Sequence, residues 1–253
     1  MRRFLHRARS WARSRSWVMP VLRRVATAPG TYLWLAALFA TTVVLHHMSP
    51  EFEEQFLRRH STNIHELSTN PVRVLVASAF WIDGDTTWPG GGWLGSWLPY
   101  AVLFTVFHAP AERWLGSGRW LAVVTFAHVG ASLVSEGVLD WGIRHGHAPQ
   151  SAMNTLDVGV SYALAGIIGV LAYRIPPLWH RPYTAAVLIF YGVPLIAGAT
   201  FTEVGHFSAV LIGLGCYPLT RARDSGRSSG RDSGRDLPPA LDRGTSTGVR
   251  TPS

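Results

Sequence analysis

The chain has 253 residues, 47% of them apolar, and a formal charge of +8 in which every basic residue is arginine and only one residue is cysteine. One cysteine excludes a disulfide framework. Arginines gathered at the two ends, without any groove-reading motif, argue against a nucleic-acid partner, and apolar residues in blocks point instead to lipid.

Met1–Gly30 holds eight Arg and no acid. Within it Arg2–Arg24, with Phe4, Leu5, Trp11, Trp17 and Val18 interspersed, reads either as an amphipathic surface helix or as a disordered basic arm. The apolar block Thr31–Met48 lacks a small-residue cleavage site at its end, so it is predicted to be a retained span and not a signal peptide. A long loop, 49–92, follows and carries six acids against three Arg. Ser61-Thr62-Asn63 and Pro71 are helix-start signals in it. Val72–Ile82 is too short to span, ends at Asp83 and Asp85, and is expected to lie in the interface or against the bundle. Trp81, Trp88, Trp93 and Trp97 suit an interfacial aromatic belt.

Five further blocks come next: Trp93–Ala109, Trp120–Leu139, Leu156–Tyr173, Thr184–Thr200 and Thr202–Leu219. A hydrocarbon core takes about 20 residues per helix, so the reading is an all-α membrane protein of six transmembrane helices. Arg113 and Arg119 join spans two and three, and Arg174 and Arg181 join spans four and five. With the Arg-rich ends, they predict a multi-pass cell-membrane protein with both termini cytoplasmic. After Leu219 the tetrapeptides Asp224–Arg227, Ser228–Arg231 and Asp232–Arg235 predict disorder. The organisation is therefore a basic arm (1–30), a membrane domain (31–219) and a polar tail (220–253).

Two late spans share one design. Ser161, Ala165 and Gly169 are spaced four apart in the fourth, and Gly205, Ala209 and Gly213 in the sixth, so each helix carries a flat stripe that lets backbones approach closely. Ser161 and His206 each lie about five residues into their segment, roughly 8 Å down at 1.5 Å per residue. A serine hydroxyl becomes a nucleophile when a positioned base takes its proton, and histidine is the usual base. Packing serine and bundle-facing histidine is the competing explanation for the same pattern. Asp157, one turn before Ser161, is a candidate supporting acid or a helix cap. Glu203, three residues before His206, is a second candidate acid. His128 and Glu136 in the third span are expected to be buried and hydrogen-bonded.

Val158–Gly169 (VGVSYALAGIIG) resembles the fourth helix of rhomboid intramembrane serine proteases, with Gly166 and Gly169 five and eight positions past the serine. Val204–Gly213 (VGHFSAVLIG) is similar to that family's sixth helix, Ala111–Trp120 (AERWLGSGRW) to its Glu-x-x-Leu-Gly segment, and Asn70–Trp81 to the stretch before helix two. The resemblance covers residues 31–219 and implies a rhomboid-like bundle in which Ser161 and His206 form a dyad that cleaves transmembrane segments. It also implies oxyanion support, for which Ser96 and Tyr100 stand where the family has His and Asn, together with Gly159. Tyr162 replaces the glycine that normally follows the serine and crowds the site. A catalytically silent relative that binds transmembrane clients is the alternative. A transporter is weaker, since no inverted repeat or broken-helix pair appears. So is a metal-binding bundle: His65-Glu66 begins like a zinc-protease motif but has Thr69 at the second ligand position. No cofactor and no metal are expected.

Overall fold

A computed structural model describes residues 23–82, 92–198 and 200–221, and every regular element among them is helical. The readings of the basic arm before residue 23, of Asp83, Asp85 and Trp88, of the Trp93 side chain and of the tail repeats fall outside those residues.

Helix α1 (Pro29–His46) buries Thr31, Trp34, Leu35, Leu38, Thr42 and Leu45, a single face at helical spacing. No side chain of its own caps its start. The Glu112 carboxylate does so, accepting from the Gly30 and Thr31 amides (2.9 and 2.7 Å), the Thr31 hydroxyl (2.7 Å) and the Ser117 hydroxyl (2.7 Å). An anion facing helix N–H groups meets the positive end of the dipole. Burial pushes the Glu112 carboxyl up, but the Ser117, Thr31 and Gly30 donors outweigh it and hold it below its ordinary range.

Both helix-start signals of the first loop are used. Ser49 caps α2 (Pro50–His60), the Asn63 side chain accepts from the Glu66 amide at the start of α3 (Ile64–Thr69), and Pro71 opens α4 (Pro71–Ala77). A 3₁₀ turn, Ser78–Phe80, ends this stretch against α1, where Trp34 Nε1 donates to the Ala79 carbonyl (2.8 Å) and Thr41 to that of Phe80 (2.7 Å). The 72–82 segment is thus tucked against the bundle.

Helix α5 (Gly92–Leu103) runs through a π turn at Phe104–His108 into α6 (Ala109–Leu115). The π turn sits just before Pro110, which offers no N–H to the Val106 carbonyl. Arg113 and Arg119 lie in helices, not in a loop: Gly116, at φ +82°, makes the whole turn into α7 (Ser117–Arg144), a conformation that glycine adopts without strain.

Helix α8 spans Val160–Leu171, α9 Pro177–Gly198, α10 Phe201–Gly215 and α11 Tyr217–Arg221. The expected fourth span therefore begins late, because Thr155–Val158 is not helical. Of the described helices α1 and α7 are long and apolar enough to cross a membrane, whereas α8 and α10 are apolar but only 12 and 15 residues long.

Helices α7, α8 and α10 pack into one core. A Cβ on Gly213 would lie 2.1 Å from the Gly166 carbonyl oxygen, one on Gly169 2.5 Å from that of Val210, and one on Gly166 2.2 Å from the Ala127 Cβ. Helices α8 and α10 are neighbours, as the stripes predict. Ala165 and Gly169 of the expected row lie in this core, and Tyr162 and Gly166 of the neighbouring row join them. A second core holds Trp34, Phe104, His108 and Trp120, with Phe104 stacked on His108 at 4.2 Å and Trp120 Nε1 donating to His108 Nδ1 (3.2 Å).

Candidate functional site

Ser161 is the second residue of α8 and His206 the sixth of α10. What relates them is Tyr162. Its ring is fully buried and lies against Gly205, where a Cβ would sit 2.6 Å from ring atoms, and the glycine leaves room for the aromatic. The ring stands edge-on to His206 at 5.0 Å between centroids, and Tyr191 of α9 lies 6.1 Å away from the same imidazole. Residues 161–162 and 205–206 thus share one level of the α8–α10 interface. Among the described residues no hydrogen bond joins Ser161 to His206, and the imidazole lies between two tyrosines.

The Tyr162 hydroxyl reaches the Ser135 hydroxyl on α7 (3.2 Å) and hydrogen-bonds Asp157. Asp157 is only 4% exposed. It does not cap α8, whose N-cap is Gly159 without a side-chain cap. Instead it fastens the α2–α3 junction: its carbonyl accepts from the Thr62 amide (3.0 Å) and hydroxyl (3.1 Å), and Oδ2 accepts from the same hydroxyl (3.2 Å). Burial pushes the Asp157 carboxyl up, to about 6, while the Tyr162 and Thr62 donors pull the other way.

Glu136 of α7 is likewise only 4% exposed. The structure corrects its expected role. Glu136 is buried, but among the described residues neither carboxyl oxygen has a hydrogen-bond partner, and the buried Ser132 hydroxyl one turn earlier has none either. Groups of this kind are costly unless they serve a purpose.

His128 packs on Gly159, where a Cβ would fall 1.8 Å from the ring. Its Nε2 lies 2.7 Å from the Leu75 carbonyl and 3.3 Å from the Ser78 hydroxyl. A carbonyl only accepts, so Nε2 carries a proton and cannot take one from Ser78. This Ser–His pair ties α4 to α7 and is no nucleophile and base.

The other expected residues are dispersed. Ser96 is buried on α5, and Tyr100 packs beside Phe104 at 6.5 Å in the second core. The Gly159 amide donates to the Ser78 carbonyl (3.2 Å). Glu203 closes a capping box with Thr200 at the start of α10. Glu66 pairs with Arg73 (2.6 Å), and among the described residues no group of three His, Cys, Asp or Glu could hold a metal.

Sequence reasoning singled out Asp157 and Tyr162 but missed Thr62, Ser132 and Ser135. The last two, with Glu136, recur on α7 at spacings of three and four, a signal that was available. Thr62 lies 95 residues from its partner, with no local signal.

A family model described as rhomboid-like protein matches residues 23–226. Comparison with the curated proteins and with the solved structures found no match.

Proposed function

We propose, for a chain that belongs to the family of rhomboid-like membrane proteins, that it is an intramembrane serine endopeptidase with Ser161 as nucleophile and His206 as general base. The observation that carries this reading is the level shared by residues 161–162 and 205–206 across a glycine-lined helix contact. In the reaction His206 takes the Ser161 hydroxyl proton as the oxygen attacks a scissile carbonyl, then returns a proton to the leaving amine. Catalytic hydrogen bonds are often long in free enzymes and tighten only with substrate bound, so this reading does not require a preformed Ser161–His206 bond. The substrate class is a transmembrane segment of another protein, met within the bilayer. Six spans with both termini cytoplasmic belong to the same proposal.

A second reading has its own support: a silent relative that holds transmembrane clients without cutting them. Tyr162 fills the space beside His206, and Ser96 and Tyr100 stand where the family's oxyanion donors are expected. One lost donor costs about 10² to 10³ in rate.

A fluorophosphonate probe separates the two. Labelling of the purified protein at Ser161, lost in both Ser161→Ala and His206→Ala, is expected for the enzyme. An unlabelled protein that cleaves no transmembrane substrate overturns it in favour of the client binder. Ser96→His with Tyr100→Asn then asks whether oxyanion support alone was missing.

A further inference from the structure

The two ends of the bundle treat their arginines differently. Glu112 joins the starts of α1 and α7, and Arg174, just past α8, donates from Nη1 to the Pro110 carbonyl at the start of α6 (2.6 Å). The His180 ring nitrogen Nδ1 lies 2.8 Å from the Ala172 carbonyl, which brings the start of α9 to the same end. That end therefore gathers Arg23, Arg24, Arg113, Arg119, Arg174 and Arg181, all but Arg119 exposed. Among the described residues its acid is Glu112, which is buried and already accepts from four donors. At the opposite end Arg58, Arg73 and Arg144 are paired with Glu54, Glu66 and Asp140. None of the first group has an acidic partner among the described residues.

We propose that Arg113 and Arg174, with Arg181 beside them, form a binding site for the headgroup of an anionic phospholipid. The Pro110 carbonyl takes one guanidinium donor of Arg174 and holds the side chain in place, while its other N–H groups remain for a ligand. Arg113 follows Pro110 by three positions, on the same face of α6. A planar guanidinium matches a phosphate with two parallel hydrogen bonds, so a placed Arg recognises that group and not charge alone. Lipid is favoured over a free anion by what adjoins the arginines. Leu178 and Trp179, 80% and 62% exposed, precede Arg181 at the start of α9. Apolar and indole side chains next to unpaired arginines suit the boundary between headgroups and hydrocarbon. A zwitterionic headgroup brings its own cation to the site and is disfavoured there. Ser161 begins α8 at the opposite end, so the lipid site stands whether or not the chain is a protease.

Native mass spectrometry of the full chain, released from micelles holding equal amounts of phosphatidylglycerol and phosphatidylcholine, tests it. Phosphatidylglycerol should be retained over phosphatidylcholine by roughly 10-fold, as expected for two or three basic groups near one headgroup. Arg113→Gln with Arg174→Gln should bring that preference close to one, while Arg144→Gln at the opposite end should leave it unchanged. Arg113→Gln alone should lower it several-fold, which keeps the test decisive if loss of the Arg174–Pro110 bond harms folding. No preference in the unaltered protein, or a preference that survives in Arg113→Gln, overturns the site. Excess inorganic phosphate should not displace the lipid; displacement would mean an anion site without lipid character and overturns the lipid assignment.

Discussion

Helices α8 and α9 follow each other in the chain and are both strongly apolar, yet they live in different surroundings. Ten of the twelve residues of α8 are buried, against none among those of α9. Helix α9 touches the core through partly buried Val187, Leu188 and Tyr191, and sends the Tyr183 hydroxyl back to the Ile168 carbonyl (2.9 Å). Its Phe190, Val193 and Ile196 face outward. The difference is not hydrophobicity. In lipid, apolar side chains gain little by meeting each other, and close backbone packing decides which helix is inside. Helix α8 brings Gly166 and Gly169 to backbone carbonyls of α10; Gly192 of α9 meets only the ring edge of Phe207.

The sharpest way to break this contrast is on α10. Gly213→Ala puts a Cβ only 2.1 Å from the Gly166 carbonyl oxygen, a backbone atom that yields less readily than a side-chain end. A loss of about 3 kcal/mol is expected, the upper range for overpacking. Two residues along, Gly215 has nothing within 4 Å of its Cβ position, and Gly215→Ala should be neutral or stabilise by about 0.5 kcal/mol. Denaturant-induced unfolding in mixed micelles would read both. Equal effects would mean that close approach is not what holds α8 inside.

That contrast was partly legible in the sequence. Small residues every fourth position in 155–173 and 201–218 gave the α8–α10 contact, and Asn63 and Pro71 marked helix starts because capping and proline chemistry are local. The part that Tyr162 and Gly166 play beside that stripe was missed. Nothing local marks Tyr162 for burial until it is known that Gly205 opens a slot for its ring. The late start of α8 was missed for a related reason. Leu156 and Val158 read as span, but the Asp157 carbonyl is taken by Thr62, a bond between distant segments that no local pattern encodes. Glu136 was recognisable as buried; that it lacks hydrogen-bond partners among the described residues is a tertiary property no local pattern carries.

An intermediate effect is expected at Tyr162, where packing and polarity can be pulled apart. Tyr162→Phe keeps the ring on Gly205 and beside His206 but removes the hydroxyl that reaches Ser135 and Asp157. Losing one partner of buried polar groups costs about 1–3 kcal/mol. Unfolding should therefore shift by less than in Gly213→Ala. A shift as large would show that the hydroxyl network, and not the glycine contact, fixes α8.

The smallest effect belongs to α9. Ile196 is 90% exposed, so in a bilayer its side chain meets lipid in the folded and in the helical unfolded state alike. Ile196→Ala trades lipid contact for lipid contact and leaves no cavity, because the described residues leave it almost wholly uncovered. The change should stay within about 0.5 kcal/mol, as for substitutions away from packed features. The same truncation in a soluble core would cost about 2–5 kcal/mol. A loss of that size here would mean that this face of α9 is covered by protein, with a second copy of the chain as the first candidate. Concentration dependence of the unfolding midpoint would then separate a dimer, whose midpoint moves with dilution, from an intramolecular contact, whose midpoint does not.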